Sequence, residues 1–147
     1  MQVRHLIPPD RSQWERLWVG YLTFYGQELD SAITDLTWSR LLGEDPAVVG
    51  LAATDGDELV GLCHLVFHPS TWSAAPYCYL EDLFVLPDRR RAGIGRALIA
   101  AAVTESQQAG AAKLYWQTAA SNEVARRLYD AVAEYRGFIV YEANPTE

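Results

Sequence analysis

The chain has 147 residues, 50% of them hydrophobic and 21% charged, the profile of an ordinary globular protein large enough to bury a core within one domain. Its formal net charge of −7, from 19 acidic and 12 basic residues, repels phosphate backbones and argues against general nucleic-acid binding, while mildly favouring a cationic partner. No apolar run approaches the ~20 residues that span a bilayer, and Met1–Leu6 has neither the apolar stretch nor the small-residue cleavage site of a secretion signal, so a cytoplasmic protein without membrane contact is expected.

In chain order, Val3 to Leu6 can form a short first strand. Asp10 or Ser12 can cap a following helix, on which Trp14, Leu17, Trp18, Tyr21, Leu22 and Tyr25 recur on one face. A second helix is predicted from Asp30-Ser31 to Gly43, with Pro46 just beyond. Val48 to Thr54 and Leu59 to Phe67 are β-type runs joined by Asp55-Gly56-Asp57, a hairpin pattern. Pro69 to Pro76 is a loop carrying Trp72, and Tyr77 to Val85 is a third long strand ended by Pro87-Asp88. A helix should run from about Gly93 to Ala109, burying Ile94, Ala97, Leu98, Ala101 and Ala102 and stopped by Gly110. Lys113 to Thr118 is a further strand, Ser121 or Asn122 caps a helix reaching about Ala133, and Phe138 to Tyr141 is a last strand. The mixed order places the fold in the α/β (α+β) class, a single domain around a central sheet. Cys63 and Cys78 both fall inside apolar strands and read as buried thiols, which suits a reducing compartment.

The most informative stretch is the basic turn Arg89-Arg90-Arg91-Ala92-Gly93-Ile94-Gly95-Arg96 between a strand and a helix. The first amides of a helix lack internal partners and carry the positive end of its dipole, so they suit an anion such as a diphosphate. Gly93 and Gly95 would let the backbone approach it, and the arginines add long-range attraction. The alternative is a tight turn with a solvated arginine cluster. Neither the Rossmann fingerprint, because Leu98 stands where its third glycine would be, nor the Walker loop is present.

Arg90-Arg91-Ala92-Gly93-Ile94-Gly95 resembles the acetyl-CoA signature Arg/Gln-x-x-Gly-x-Gly/Ala of the GNAT superfamily of N-acetyltransferases. The preceding Tyr79-Leu80-Glu81-Asp82-Leu83-Phe84-Val85 is similar to the strand of its spermidine/spermine branch, and Asn122-x-x-Ala125-x-x-Leu128-Tyr129 resembles the family's second motif. The resemblance implies a mixed, mostly antiparallel central sheet of about six strands flanked by about four helices. It implies acetyl-CoA as acetyl donor, its diphosphate on the amides of Arg91, Ala92, Gly93, Ile94, Gly95 and Arg96, with Arg90 and Asn122 in the same site. Its pantetheine arm would pair with the backbone of Leu83, Phe84 and Val85. The acceptor would be a small-molecule or peptidyl amine. The competing function is a non-catalytic acyl-CoA sensor.

Acetyl transfer to an amine needs the amine deprotonated, the developing oxyanion stabilised and the leaving thiolate protonated. Tyr129, on one helical face with Asn122 and Ala125, is the candidate acid. Glu81, a carboxylate in an apolar strand, is the candidate base, matching the base position of the polyamine enzymes; Asp82 or ordered water are the alternatives. Strict alternation would set Tyr79, Glu81, Leu83 and Val85 on one face and Leu80, Asp82 and Phe84 on the other. A backbone amide near Phe84 or Val85 would meet the oxyanion. His64 and His68 form no metal-ligand set, so no metal is expected; His64 reads as an ordinary strand residue or as lining the acceptor pocket. The aromatic residues of the first two helices, with Trp72, Glu28, Asp30 and Asp35, suit an ammonium group. Trp14, Leu17 and Trp18 fit core packing better, while Tyr25, Glu28 and Trp72 stay open between the two. Asp130–Arg136 lengthens the family's usual gap between Tyr129 and Gly137-Phe138, and little chain follows Tyr141. A shorter sheet edge, or a homodimer in which another subunit completes it, is therefore expected.

Overall fold

The computed structural model describes residues 1–146. They fall into two compact units, the first Met1–Trp116 and the second the described residues from Gln117 onward.

The first unit is a five-stranded sheet with three helices. Strands β1 (Gln2–His5), β2 (Val48–Asp55), β3 (Glu58–His68), β4 (Tyr77–Val85) and β5 (Lys113–Tyr115) lie side by side in chain order. All neighbours are antiparallel except β4 and β5. That parallel pair requires a crossover, which helix α3 (Ile94–Gln108) supplies. The β2–β3 hairpin turns at Gly56, whose φ of 59° lies in the left-handed region that the expected Asp-Gly turn demands.

Strand β3 is the centre of the core. Leu59, Val60, Leu62, Cys63 and Leu65 are all fully buried, so both of its faces are covered, as a continuous apolar run requires. One face meets helix α1 (Arg11–Phe24), whose Trp14, Leu17 and Trp18 are buried against it. The other meets α3. A methyl group on Gly61 would stand 3.1 Å from Leu98 of that helix, so glycine here is what lets α3 sit down on the sheet.

Helix α2 (Ser31–Ser39) is capped as expected: Asp30 Oδ1 accepts from the Ala32 amide at 2.9 Å. A wider turn, Arg40–Glu44, extends it to Gly43, where φ reaches 102°. Asp10 departs from expectation. It precedes α1 but does not cap it with its side chain. A short helical turn, Pro8–Asp10, runs directly into α1, and the carboxylate instead accepts from the Ile7 amide at 2.9 Å and from the Arg4 guanidinium at 2.7 and 3.0 Å. The Arg4 hydrogen bonds hold the Asp10 carboxyl below its ordinary range. This interaction is therefore complete above the ordinary carboxylate pKa of ~3.9 and is lost as pH falls through the lower folded value. Asp10→Ala should cost about 2 kcal/mol at pH 7, measured by urea unfolding, with the difference from wild type shrinking below pH 4.

The second unit carries helix α4 (Glu123–Val132). The expected strand at Phe138–Tyr141 is not formed, and β5 stops at Tyr115 rather than reaching Thr118, so the sheet has five strands among the described residues. The reason is pairing. β5 bonds with Tyr77–Tyr79, and among the described residues no strand pairs with 138–141, whose side chains are all exposed. Residues of β propensity do not make a strand without a ladder partner.

Candidate active site

Strand β4 changes register at one point. His64 faces Asp82, but the next residue of β3, Leu65, faces Leu80, so Glu81 is the extra residue of a β-bulge. This corrects the expectation of strict alternation. Leu80 pairs on the α3 side of the sheet, whereas Asp82 and Phe84 pair on the α1 side. The bulge thus brings two consecutive acids to the region where α1 crosses the sheet.

Asp82 is held from within. His64, 3% exposed, lies 2.9 Å from Asp82 Oδ2 through Nδ1 and 3.0 Å from Trp14 Nε1 through Nε2. An indole N–H can only donate, so Nε2 accepts, and the ring proton sits on Nδ1 and is donated to Asp82. Tyr21 of α1 faces the same carboxylate. Burial, then the charge of Asp82, pushes its phenol far above the ordinary value, so it stays protonated.

Glu81 reaches solvent, yet the protein mass around it raises its carboxyl above the ordinary range. The negative charge of Asp82 adds to that rise. Tyr79 and Tyr115, with ring centroids 4.9 Å apart, both respond to the Glu81 charge, although burial is the larger cause of their raised values. Tyr115 Oη lies 2.7 Å from His68 Nε2, and His68 Nδ1 donates to the Pro69 carbonyl at 2.8 Å. Neither Tyr115 nor the fixed orientation of His68 was foreseeable locally, because β5 and β3 are far apart in sequence. Of the residues left open, Trp72 is 91% exposed and Tyr25 is exposed while its ring touches Tyr21, 5.0 Å away.

The basic turn lies at the far end of β4. Arg91 and Gly93 both adopt left-handed backbone, with φ of 66° and 80°. Gly93 begins α3 without a side-chain cap, and no acceptor among the described residues meets the amides of Ile94, Gly95 or Arg96. No atom lies within 4 Å of where a Gly93 side chain would start. The arginines divide. Arg89 leaves the turn to bind Asp55 and Glu58 at 2.6 and 2.7 Å. Arg90 Nε donates to the Val85 carbonyl at 3.0 Å and covers the rings of Phe24 and Phe84. Arg91 and Arg96 are exposed. Leu83, Phe84 and Val85 are paired with β3 alone, so one edge of β4 is open beside the turn.

In the second unit, Asn122 caps α4: its Oδ1 accepts from the Ala125 amide at 3.3 Å. Tyr129 is half-buried on the same helix, seven residues on. Among the described residues no group of three His, Cys, Asp or Glu side chains is placed to hold a metal ion.

A strand with an open edge, leading into a helix whose first amides are unfilled, is a cradle for an extended ligand with an anionic end. Residues 11–135 match the acetyltransferase (GNAT) family. The chain is a GNAT-family acetyltransferase. That match extends across both compact units. N-acetyltransferases stand among the relatives. The chain is 32% identical over 146 residues to the uncharacterized N-acetyltransferase YhfO of Bacillus subtilis, covering 98% of this chain and 97% of that protein. It is 27% identical over 144 residues to the D-amino-acid N-acetyltransferase HPA3 of Saccharomyces cerevisiae, covering 97% and 89%. The GNAT fold is shared with the crystal structure of a probable acetyltransferase, at TM-score 0.86 and 22% identity over 100% of this chain and 99% of that one. It is shared also with the aminoglycoside N-acetyltransferase AAC(6')-Iy in complex with CoA, at TM-score 0.75 and 18% identity, covering 97% and 98%. The mixed sheet and, among the described residues, four α-helices agree with what the resemblance implied.

Proposed function

We propose that this GNAT enzyme transfers the acetyl group of acetyl-CoA directly to a primary amine of a small molecule or peptide, without a metal. The observation that carries this reading is the uncapped start of α3 at Gly93, next to the unpaired edge of β4. The CoA bound by a protein of the same fold supports the donor, and the amines in the names of the yeast and aminoglycoside enzymes support the acceptor class.

The acetyl thioester supplies an activated carbonyl. The amides of Arg91 to Arg96 bind the diphosphate, with Arg90 steadying the end of β4. The edge of Leu83, Phe84 and Val85 aligns the pantetheine arm, and an amide near Phe84 or Val85 donates to the carbonyl oxygen as it gains charge. Glu81 takes the proton of the attacking amine; its raised pKa brings it closer to the range useful for a base at neutral pH. Tyr129 donates a proton to the departing sulfur, and Asn122 starts the helix that carries it. The buried, unpaired Cys63 and Cys78 agree with a cytoplasmic site of action. The exposed apolar segment Phe138–Tyr141 agrees with a homodimer.

Calorimetry with acetyl-CoA, followed by thiol release across a panel of amines, tests the whole reading. Binding with amine-dependent thiol release is expected. Binding without release for any amine would make the domain a sensor, and no binding would end the proposal. Tyr129→Phe should lower kcat about 100-fold with the acetyl-CoA Kd unchanged; full activity in that variant would remove Tyr129 from the role of acid.

A further inference from the structure

We propose that the buried Trp14–His64 pair is a positioning device that selects which of the two consecutive acids on β4 is free: it anchors Asp82 inward and thereby leaves Glu81 aimed at the acceptor amine. This rests on the transferase reading and deepens it.

The argument begins with the bulge. A bulge leaves one extra residue unpaired, and something must specify which of two neighbouring residues takes that position. Here the two are Glu81 and Asp82, both carboxylates. A one-residue slip would exchange them, placing the longer acid against His64 and turning the shorter one outward. The lock is the Nδ1 proton of His64, donated to Asp82 Oδ2 at 2.9 Å. That proton is on Nδ1 because Trp14 Nε1 occupies the other nitrogen at 3.0 Å. Both His64 and Trp14 are buried, and a polar chain in such a place costs desolvation that an apolar pair would avoid. The chain repays that cost in register rather than in stability. The charged or titratable groups facing Glu81 are Asp82 and His64, Tyr21 from α1, Tyr79 from its own strand and Tyr115 from β5. Tyr21 also hydrogen-bonds Asp82, but its hydroxyl proton rotates freely about the C–O bond, whereas the Nδ1 proton of His64 is fixed in place by Trp14.

Three variants test this in the full chain. Nitrogen-15 NMR of the wild type should show His64 protonated on Nδ1, and Trp14→Phe should give a mixture of tautomers. His64→Ala should lower kcat/KM for the amine at least tenfold, with the acetyl-CoA Kd unchanged within twofold. Its acid limb in the pH profile should move to higher pH, because a released Asp82 crowds Glu81. His64→Asn keeps an N–H donor toward Asp82 and should restore most of the loss. Carbon-13 titration of the Glu81 carboxyl reads the same upward movement without any acceptor, so it decides the proposal even if no amine is found. An Nε2 proton in the wild type, or a folded His64→Ala protein with the wild-type Glu81 titration, would overturn it. Failure of acetyl-CoA to bind at all would instead overturn the transferase reading.

Discussion

Gly93→Asp is expected to raise the Kd for acetyl-CoA by at least 100-fold while changing stability by no more than about 1 kcal/mol. The two effects separate because they have different origins. Gly93 sits at φ 80°, a conformation that costs a residue with a Cβ roughly 1 kcal/mol, and Asp tolerates it better than most. No neighbouring atom obstructs the new side chain. A carboxylate at the first turn of α3 also gains about 0.3–1 kcal/mol from the helix dipole, which offsets most of that strain. The amides of Ile94, Gly95 and Arg96 would then face a fixed negative charge. A diphosphate arriving there meets repulsion on the order of 2–3 kcal/mol at a surface dielectric, about 100-fold in affinity. Gly93→Ala is the control: it pays the strain without the charge and should weaken binding only a few-fold. Calorimetry and thermal unfolding on the three proteins read both quantities. If Gly93→Asp bound acetyl-CoA as tightly as wild type, the diphosphate would have to sit elsewhere.

Much of the fold around the candidate site was legible because its determinants are local. The apolar spacing of Trp14, Leu17 and Trp18 names the buried face of α1, and all three are buried. The Asp-Gly pair sets the β2–β3 turn, and Gly93 marks the start of α3. Elements that depend on a distant partner were not legible. The bulge at Glu81 leaves no trace in the hydrophobic pattern, because Leu80 and Phe84 are both buried although they face opposite helices. Alternation along a strand covered on both faces cannot reveal such a slip. His64 looked like an ordinary strand residue, since its partners lie 50 and 18 positions away. Asp10 has the chemistry of a cap, but Arg4 on β1 offers it a stronger, charged donor. Phe138–Tyr141 has strand propensity, which decides nothing without a neighbour to bond.

Glu81→Gln should lower kcat/KM for the amine by about 1,000-fold at pH 7, with acetyl-CoA affinity retained, and it should make the protein slightly more stable. The loss of rate follows from the role of base: glutamine has the shape of glutamate but cannot hold the proton of the amine. In the wild type, activity falls as Glu81 is protonated, so the acid limb of kcat/KM lies above the ordinary glutamate pKa of ~4.3, because desolvation and the neighbouring Asp82 charge raise it. The variant should lose that limb. The gain in stability has the same cause. A carboxyl with a raised folded pKa binds its proton more tightly in the native state than in the unfolded chain. Its contribution therefore favours folding below the unfolded pKa and is lost as pH rises through the folded value. At pH 7 the native protein holds a charge it disfavours, and glutamine removes it. Thermal unfolding at pH 7 and at pH 4 tests the sign: the stabilisation by Glu81→Gln should be present at pH 7 and shrink toward zero at pH 4. A group that disfavours the fold in the protonation state its chemistry requires is what a working base in a partly desolvated site should be. Equal stability of the two proteins at both pH values, together with retained activity, would make Glu81 an ordinary surface carboxylate and pass the role of base to ordered water.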